Sequence, residues 1–312
     1  MKTSTAIIPT ASGNAYIQRL CEHFSHKIKT SCSDHEGLAY FPYGEGRMFS
    51  DESTLQIEIS ADTFENLIQL KYIFAKHLEK FAEGEKLALQ WKDEPPIPAP
   101  DWEAMGRQLR HPEGEEGKKI GISMNHANMG MIRRMFELID LKSGQQVLEI
   151  GPGNAAHVKE ILSKQPGVIY TGVEISKTMI TEAAEQCGEI LDVSLIMVDG
   201  KTLPFADEAF DAVVSANTIY FWENPVEYAK EIARVLKKDR GVLCLAFIHK
   251  SFMEKLPFTR TVFELYTPED VKNLLEKAGL LVYDNLQEVE EIWTNTGERV
   301  ERERVFILAK RK

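Results

Sequence analysis

The sequence predicts a two-domain protein, in which a small α+β domain is followed by a larger α/β domain built on a doubly wound, mostly parallel sheet. Two observations lead to this prediction. From residue 145 of the 312-residue chain, short apolar segments alternate with amphipathic ones, a pattern typical of parallel strands covered by helices on both faces. The stretch DEPPIPAPDW, 93–102, is rich in proline and favours an extended linker. We therefore expect domains at 1–92 and 121–312, joined by a connecting segment at 93–120.

The composition is that of an ordinary globular protein, with 43% hydrophobic and 27% charged residues. A net charge of −11 disfavours a broad phosphate-binding surface, so nucleic acid is not expected as a partner. The N-terminus lacks the apolar core of a signal peptide, and the longest apolar run, VLCLAFI at 242–248, is too short to span a membrane. The four cysteines have no metal-site spacing, which favours free thiols in a reducing compartment. We expect a cytoplasmic protein without membrane contact.

In the first domain, the period of the apolar residues separates helices from strands. Residues 12–28 carry a helical apolar stripe that includes Cys21, and strands are expected for GLAYFPYG, GRMFS and TLQIEIS. A second helix is predicted to start at Asp62, because Glu65 three residues later completes a pattern like a capping box. The segment LALQW, 87–91, is expected to close the domain as its last strand.

Four histidines gather in this domain, at positions 23, 26, 35 and 77, and suggest a metal site with Cys21 as a further ligand. Helical geometry argues against such a site, because Cys21 lies in the buried stripe, His23 on its flank and His26 almost opposite. We therefore expect no bound metal. Through LCEHFSHK and KHLEKFAEGEKLALQW, residues 3–92 resemble a small bacterial domain family of unknown function, and this resemblance implies little about chemistry.

Between the domains, residues 103–120 are polar and contain glycine, so they are expected to be loop with some helix. The segment MNHANMGMIRRMFELID, 124–140, has apolar residues at helical spacing. It predicts a helix that packs against the second domain.

The second domain is assigned from its alternation of segments. Helices are expected for AAHVKEILSK, SKTMITEAAEQC, PVEYAKEIARVLKK and TPEDVKNLLEKAG. The last of these has Thr267 as its N-cap and Pro268 at its first position. The predicted strands are QVLEIG, VIYTGVEI, VSLIMVDG, FDAVVSAN and GVLCLAFI, and EVEEIWT and RVFILAK can pair as a closing hairpin.

Glycines and acidic side chains follow three successive strands, at the ends where sheets of this kind bind ligands. Gly151 and Gly153 follow the first strand and let a ligand approach the backbone closely. Glu174 ends the second strand, where a carboxylate can accept hydrogen bonds from both hydroxyls of a ribose. Asp199 and Gly200 end the third strand, and the aspartate can accept from an adenine amino group. Together these residues predict a nucleotide-cofactor site.

Two details separate S-adenosylmethionine from a dinucleotide as the ligand of this site. A dinucleotide loop has the pattern G-x-G-x-x-G, in which the third glycine allows close helix packing, but Ala156 stands at that position here. Glu149, two residues before Gly151, would repel a pyrophosphate and attract the cationic amino group of S-adenosylmethionine. We therefore expect S-adenosyl-L-methionine as the cofactor.

Four segments in order, VLEIGPGN, GVEIS, VDGKTLPFADEAFDAVVSANTIYFW and EIARVLKKDRGVLCLAF, resemble class I S-adenosylmethionine-dependent methyltransferases of the broad small-molecule group. The resemblance covers about 120–312. It implies a Rossmann-like sheet of seven strands, mostly parallel, with the last strand antiparallel. The chain departs from the family pattern at Ala155, where relatives often have glycine, and at LKKDRG, which replaces LKPGG. Neither change is expected to abolish cofactor binding.

The same resemblance implies roles for individual residues. In that family, the positions matched by Glu149, Gly151 and Gly153 hold the methionine moiety. The position matched by Glu174 holds the ribose, and the position matched by Asp199 holds the adenine. Other expected cofactor-binding residues are Asn154, Ile175, Gly200 and, near the methyl donor, Asn217. A lid over the cofactor is expected from Met124, Asn125 and Asn128.

An aromatic cluster after Asn217 is expected to form a wall of the acceptor pocket, since aromatic faces also favour cationic groups. It consists of Tyr220, Phe221 and Trp222. Methyl transfer depends on the alignment of donor and nucleophile, and no general base is evident. The titratable residues expected near the cleft are His126, His249 and Lys250.

The expected acceptor is a small molecule, because the net charge disfavours nucleic acid and the chain lacks the Asn-Pro-Pro-Tyr and Pro-Cys motifs of adenine, glutamine and cytosine methylation. Two alternatives stay open. One is an RNA or protein methyltransferase that uses the first domain for docking, and the other is a cofactor-binding protein without catalysis. The sequence leaves open whether O, N, C or S is methylated, what the first domain does, and the oligomeric state.

Overall fold

The computed structural model describes residues 1–82, 84, 85, 87, 89–98, 100–188, 190–293 and 299–311. The chain groups into two compact units, residues 1–99 with 291–301 and residues 100–290 with 302–312. Each of the two units has a hydrophobic core of its own.

The first unit contains an antiparallel sheet with two helices packed on it. Its elements are β1 Lys2–Pro9, α1 Gly13–Ser25, β2 Lys29–Cys32, β3 Glu36–Phe41, β4 Gly44–Ser50, β5 Thr54–Ala61, α2 Phe64–Phe81 and β6 Trp91–Glu94. The strands lie in the order β2-β3-β4-β5-β1-β6, and their pairings are antiparallel. Leu20 and Phe74 of the helices are fully buried with Ile57 and Ile59 of β5, as expected for a small α+β domain.

The N-terminal segment, for which the sequence predicted no strand, forms β1 in the interior of this sheet. It pairs with β5 on one side and β6 on the other. Ala6 and Ile8 are buried while Ile7 between them is exposed, which is the alternation of a strand with one covered face. The closing strand also differs from expectation, because only Trp91 of the predicted 87–91 lies in β6. Ala88 of that segment lies outside the described residues.

Helix α2 begins one residue later than the sequence indicates. Thr63 is its N-cap, and the Thr63 hydroxyl accepts a hydrogen bond of 3.2 Å from the N–H of Asn66. Asp62 is not the cap. A threonine satisfies the same unpaired N–H groups of the first turn as an aspartate does, so the two neighbours compete for one role.

The second unit holds the larger sheet. Its elements are α3 Trp102–Arg110, α4 Gly114–Ile139, β7 Gln146–Ile150, α5 Val158–Lys164, β8 Ile169–Glu174, α6 Lys177–Cys187, β9 Val193–Met197, β10 Ala212–Ala216, a 3-10 turn Ile219–Phe221, α7 Pro225–Val235, β11 Val242–Ile248, α8 Lys250–Met253, α9 Thr259–Val262, α10 Pro268–Lys277, β12 Leu280–Trp293 and β13 Arg299–Arg311.

The seven strands of this sheet lie in the order β12-β13-β11-β10-β7-β8-β9. Strands β7 to β11 pair in parallel with their neighbours, whereas β13 is antiparallel to β11. The predicted fold class is therefore confirmed, including the antiparallel last strand. The chain runs outward from β7 to β9 and returns to β10 on the other side of β7. In doubly wound sheets, ligands bind at such a reversal, beyond the carboxyl ends of the strands.

The segment before β7 is more helical than the sequence predicted. Helix α3 starts at a capped residue, since the side chain of Asp101 accepts from the N–H of Ala104 at 2.9 Å. Helix α4 already begins at Gly114. The negative charges of Glu115 and Glu116 in its first turn interact favourably with the positive end of the helix dipole. Apart from the short connection 111–113, the residues of 103–120 thus belong to two helices.

The predicted start of α10 is confirmed. Thr267 is the N-cap, Pro268 is the first helical residue, and Thr267 forms a reciprocal capping box with Asp270. These local signals were sufficient because capping depends on residues within one turn of the chain.

The longest apolar run of the chain forms β11 in the middle of the sheet. Residues 243–247 are fully buried, which is typical of a strand that is covered on both faces. Within the described residues, no helix has the length and apolarity needed to cross a membrane.

Candidate active site

A cleft opens at the carboxyl ends of β7, β8 and β10, with an empty volume of about 1010 Å³ that includes the open solvent at its mouth. The predicted residues that line it are Met124, Asn125 and Asn128 of α4, Glu149, Gly151 and Gly153 around the first turn, Glu174 and Ile175 at the end of β8, and Gly200, Asn217, Phe221 and Trp222 in the next loops. The fold thus brings most of the predicted site together. The predicted residues outside this lining are Asn154, Asp199, Tyr220 and His249.

The turn after β7 has a backbone that favours glycine. Gly151 has a φ of +72° and Gly153 a φ of +59°, a region where other residues are strained. A Cβ on Gly151 would lie 2.5 Å from Cγ2 of Thr218, whereas a Cβ on Gly153 would meet no atom within 4 Å. Gly151 therefore allows close packing within the protein, and the space beside Gly153 is open. Ala155 also has a positive φ, of 54°, a conformation that glycine adopts more readily than alanine.

Glu174 is buried and accepts three backbone hydrogen bonds. Its Oε2 accepts from the N–H of Gly153 at 3.0 Å, and its Oε1 accepts from the N–H groups of Ile175 and Ser176 at 2.8 and 3.0 Å. Burial raises the pKa of the Glu174 carboxyl, and the N–H donors oppose this rise. Each carboxylate oxygen can accept more than one hydrogen bond, so the Glu174 carboxylate can still accept from a ligand in the cleft.

Glu149 is also buried, and its carboxylate is held from behind by two side chains. The Tyr170 hydroxyl donates to Oε2 of Glu149 at 2.7 Å, and Nε2 of His157 lies 2.9 Å from the same oxygen. Burial, followed by the charge of Glu149, raises the pKa of Tyr170 well above its usual value. Tyr170 therefore keeps its proton and acts as a donor. The sequence analysis missed both partners, because neither residue belongs to a recognised motif.

Asp199 lies next to the cleft with an exposed side chain. Its Oδ1 accepts from the N–H groups of Lys201 and Thr202 at 2.8 and 3.1 Å, and these two bonds lower its pKa. Val198 and Gly200, on either side, do line the cleft. Asp199 thus shapes the turn after β9, as aspartates commonly do through side-chain bonds to the backbone.

Two hydrogen bonds between amide side chains connect α4 with the loops beneath it. Nδ2 of Asn125 donates to Oδ1 of Asn154 at 2.6 Å, and Nδ2 of Asn217 donates to Oδ1 of Asn128 at 3.1 Å. Asn154 is buried behind the glycine turn. Asn217 has a φ of +58°, a strained conformation for a residue other than glycine, and such strain is common at functional sites. Helix α4 therefore covers the cleft, as the sequence suggested.

The aromatic cluster divides into two parts. Phe221 and Trp222 line the cleft, together with Tyr228 of α7, whose ring lies 5.1 Å from that of Trp222. Tyr220 points into the core instead. Its hydroxyl donates to the carbonyl of Ile248 at 3.0 Å and accepts from the N–H of the same residue at 2.7 Å. The 3-10 turn of Ile219–Phe221 directs consecutive side chains to different sides, which the sequence alone does not reveal.

Two of the titratable residues expected near the cleft, His249 and Lys250, are not among its described lining residues. His249 caps the short helix α8, and its Nδ1 accepts from the N–H of Ser251 at 3.1 Å. The side chain of His126 lies outside the described residues. Lys250 is exposed at the start of α8. Among the described lining residues, the ionisable side chains are those of Arg110, Glu149, Glu174 and Tyr228.

Lining residues at the end of α3 and in its connection to α4 were also not predicted. Leu109, Arg110 and Pro112 line the cleft, and the carbonyl of Pro112 accepts a hydrogen bond of 2.5 Å from the hydroxyl of Ser176. Arg110 forms a partly exposed ion pair with Glu223 at 3.5 Å. The capping signal at Asp101 was the one local indication that this segment is structured.

Comparison with known proteins identifies the second unit. A family model described as "Methyltransferase domain" matches residues 148–245, and one described as "Uncharacterized protein conserved in bacteria (DUF2218)" matches residues 5–92. A demethylmenaquinone methyltransferase of Corynebacterium glutamicum is 32% identical over 173 residues, which are 54% of this chain and 69% of the relative. This chain belongs to the S-adenosylmethionine-dependent methyltransferase family.

Two further matches cover different shares of this chain. The biotin biosynthesis bifunctional protein BioHC of Teredinibacter turnerae is 26% identical over 151 residues, which are 44% of this chain and 26% of the relative. The chain therefore spans about a quarter of BioHC. A chain in the solved complex between the Haloferax volcanii Trm112 methyltransferase activator and the putative methyltransferase has a TM-score of 0.52 at 17% identity, and covers 61% of this chain and 92% of that chain. This last likeness shows the fold.

The cofactor of this methyltransferase is S-adenosylmethionine, and the residues of the cleft fit it. The space beside Gly153 is open, and the two buried carboxylates that line the cleft belong to Glu149 and Glu174. Buried carboxylates are suited to bind a cationic amino group and ribose hydroxyls. When bound, the cofactor supplies a methyl group on a positively charged sulfur, which is already activated for transfer.

Proposed function

We propose that this protein transfers the methyl group of S-adenosylmethionine to a small-molecule acceptor that enters the same cleft. The observation that carries the proposal is the composition of the cleft walls. One wall holds the glycine turn with Glu149 and Glu174, and the other holds the aromatic rings of Phe221 and Trp222. Binding sites for small ligands commonly combine a mostly apolar lining with a few convergent polar groups.

Within this proposal, each predicted residue keeps a defined task. Glu149 binds the amino group of the methionine moiety, Glu174 binds the ribose hydroxyls, and the turn Val198–Gly200, shaped by Asp199, lies against the adenine. Support for these tasks comes from the burial and hydrogen bonds of the carboxylates. Charge-assisted hydrogen bonds to a carboxylate are about twice as strong as neutral ones.

The remaining lining residues align the acceptor and exclude water. Methyl transfer is a displacement in which orientation contributes most of the acceleration. The hydrogen bond between Asn128 and Asn217 closes α4 over the cleft, and Phe221 packs against Phe263 with ring centroids 4.6 Å apart, so the aromatic wall is supported. No imidazole or lysine is among the described lining residues.

Relatives support a small acceptor through their names alone. The Corynebacterium glutamicum relative is named a demethylmenaquinone methyltransferase. For this chain we propose an acceptor with a planar or apolar part, because Phe221, Trp222 and Tyr228 face the cleft. The net charge of −11 does not favour nucleic acid as a substrate.

We also propose that the methyltransferase unit begins near Pro100, before the boundary of 121 expected from the sequence. Helix α3 packs closely within this unit, since a Cβ on Gly106 would lie 2.8 Å from the carbonyl oxygen of Phe258. Arg110 from the same helix lines the cleft. Residues 1–92 remain our proposal for a separate domain. Truncation before Pro100 should leave S-adenosylhomocysteine binding intact, whereas truncation before Gly121 should abolish it.

Two measurements test the proposed function. Isothermal titration calorimetry with S-adenosylhomocysteine should show binding, and absence of binding would contradict the cofactor site. Cell extract should then be divided by ultrafiltration and incubated with the enzyme and methyl-labelled S-adenosylmethionine. Label in compounds of the filtrate would support a small acceptor, whereas label only in the retained RNA or protein would overturn it.

A further inference from the structure

A buried polar cluster lies behind the wall of the cleft and consists of Glu149, His157 and Tyr170. Each of these residues is 1% exposed. Both partners of Glu149 approach the same oxygen, Oε2, at 2.7 Å from the tyrosine hydroxyl and 2.9 Å from the histidine Nε2. Polar groups at this depth destabilise a protein unless they are hydrogen-bonded. The atoms of the cluster that lack a partner are therefore informative.

The other ring nitrogen of His157, Nδ1, is buried and has no hydrogen-bond partner among the described residues. A proton on Nδ1 would leave a donor unsatisfied in the core, and unsatisfied buried N–H groups are rarer than unsatisfied acceptors. The proton of the neutral ring is therefore on Nε2. It follows that His157 donates to Oε2 of Glu149, as Tyr170 does.

This arrangement suits a negatively charged Glu149. Two hydrogen bonds donated to Oε2 from behind stabilise charge on the carboxylate. Donors among the described residues reach Oε2 and not Oε1. Since Glu149 also lines the cleft, the oxygen without a partner is available to a cationic group in the cleft.

The backbone leaves room for this cluster. Glu149 of β7 pairs with Gly172 of β8, two residues after Tyr170. A Cβ on Gly172 would lie 3.3 Å from Cε1 of the Tyr170 ring and 3.0 Å from Cγ of Pro152. Glycine at this position therefore lets the tyrosine ring approach Glu149.

We propose that His157 and Tyr170 are positioning residues that hold the Glu149 side chain through Oε2, with Oε1 available to the amino group of S-adenosylmethionine. The inference rests on the proposed function, in which Glu149 binds that group. Neither side chain belongs to the cleft lining, so both act through Glu149. Their loss should weaken recognition of the amino group and leave the other contacts of the cofactor unchanged.

Two ligands distinguish this role from a merely structural one in isothermal titration calorimetry. The first is S-adenosylhomocysteine, and the second is its analogue in which hydrogen replaces the α-amino group. For Tyr170→Phe and for His157→Leu, we expect the affinity for S-adenosylhomocysteine to fall about tenfold, the size of one lost hydrogen bond to a charged group. The affinity for the deamino analogue should stay at the wild-type value, which also shows that the variant is folded.

Two further variants serve as matched controls. The amide N–H of glutamine can replace the Nε2–H of histidine, so His157→Gln should retain most of the preference for S-adenosylhomocysteine over the deamino analogue. Tyr266 is another buried tyrosine, and it does not line the cleft. Tyr266→Phe should bind both ligands as the wild type does.

Three results would overturn the inference while leaving the proposed function in place. The first is an equal loss of affinity for both ligands in Tyr170→Phe and His157→Leu. The second is an unchanged affinity for both ligands in these variants. The third is a glutamine variant as weak as the leucine variant, which would remove the role of His157. Failure of the wild type to bind either ligand would instead overturn the proposed function itself.

Discussion

The backbone N–H of Gly153 donates a hydrogen bond of 3.0 Å to Oε2 of Glu174. This bond joins the glycine turn after β7 to the carboxyl end of β8. Because Oε1 of Glu174 accepts from the next two backbone N–H groups, the carboxylate holds two segments of backbone in place while it lines the cleft. Ligand binding and the shape of the turn therefore depend on the same side chain.

Glu174→Gln should weaken S-adenosylhomocysteine binding at least about tenfold, because charge-assisted hydrogen bonds are lost and an amide N–H₂ now faces backbone donors. Calorimetry near neutral pH measures the effect. Glu185→Gln is a suitable control, since Glu185 is an exposed residue of the neighbouring helix α6. Equal affinity of the Glu174→Gln variant and the wild type would remove Glu174 from the site.

Gly151→Ala should lower the thermal stability of the methyltransferase unit for two reasons. The new Cβ would lie 2.5 Å from Cγ2 of Thr218, and the positive φ costs a residue with a side chain about 1–2 kcal/mol. Thr218→Ser removes Cγ2 and keeps the hydroxyl that contacts Ser215 and Trp222. Added to Gly151→Ala, it should recover part of the lost melting temperature. Simple addition of the two single effects would contradict a steric clash between the new Cβ and Thr218.

Asn217→Gly and Asn128→Ala should not have independent effects on S-adenosylhomocysteine affinity. Glycine accepts the positive φ of position 217, so this substitution removes the side chain without adding strain. The two asparagines share a hydrogen bond of 3.1 Å, and a double-mutant cycle should give a coupling energy of about 1 kcal/mol. A coupling energy of zero would show that this bond does not hold α4 over the cleft.

Tyr220→Phe and Phe221→Ala should affect different properties. The first substitution leaves the N–H and carbonyl of Ile248 without their partner, so it should reduce the free energy of unfolding by about 1–3 kcal/mol. S-Adenosylhomocysteine affinity should change less than in Asn217→Gly, because the Tyr220 hydroxyl reaches the cleft only through Oδ1 of Asn217, at 3.2 Å. Phe221→Ala should raise KM for the acceptor found in the filtrate, because Phe221 lines the cleft. An increase in the acceptor KM in Tyr220→Phe, at unchanged stability, would place Tyr220 in the pocket after all.

Asp211→Asn should destabilise the fold at neutral pH and much less in acid. Asp211 is buried and accepts from the Gln146 N–H at 3.0 Å and from Lys237 at 2.7 Å. Burial would raise its pKa, but these two groups hold the pKa below its usual value. Its contribution is therefore present above the pKa of the unfolded chain and is lost as pH falls through the folded pKa.

Urea unfolding of the Asp211→Asn variant and of the wild type measures the difference in their free energies of unfolding. We expect about 2 kcal/mol near pH 7, the size of a buried hydrogen bond to a charged group, and a smaller difference near pH 3. Gln146 and Lys237 lie away from the cleft lining, so S-adenosylhomocysteine affinity should be unaffected in the folded variant. If the difference in unfolding free energy were the same at pH 7 and pH 3, these contacts would not depend on the ionised form of Asp211.

Much of the fold could be predicted because its signals are local. The alternation of strands and helices after residue 145, the cap at Thr267 and the glycines at 151 and 153 all depend on residues within a few positions of one another. The carboxyl ends of parallel strands meet at one edge of a sheet. The order of the motifs therefore also indicated where the cleft lies, and most of the predicted residues do line it.

Other features depend on contacts between distant segments. Strand β1 is stabilised by β5 and β6, more than 40 positions later, so its own short pattern was not decisive. Helix α3 reaches the cleft by packing on a segment near Phe258. The position of His157 and Tyr170 behind Glu149 likewise arises only when β7, β8 and α5 come together.

The sequence by itself determined the fold class and the residues at the strand ends, because a repeating pattern of apolar residues specifies which elements form. Its motif segments, and not this pattern, carried the resemblance to the methyltransferase family. The tertiary structure decided how individual side chains are used. It turned Tyr220 into the core, exposed the side chain of Asp199 and gave Glu149 two buried partners. For Tyr220 and Glu149, the physical reason is that their side chains are held by hydrogen bonds to residues distant in the chain, Ile248 and Tyr170, and these bonds form only when the protein folds.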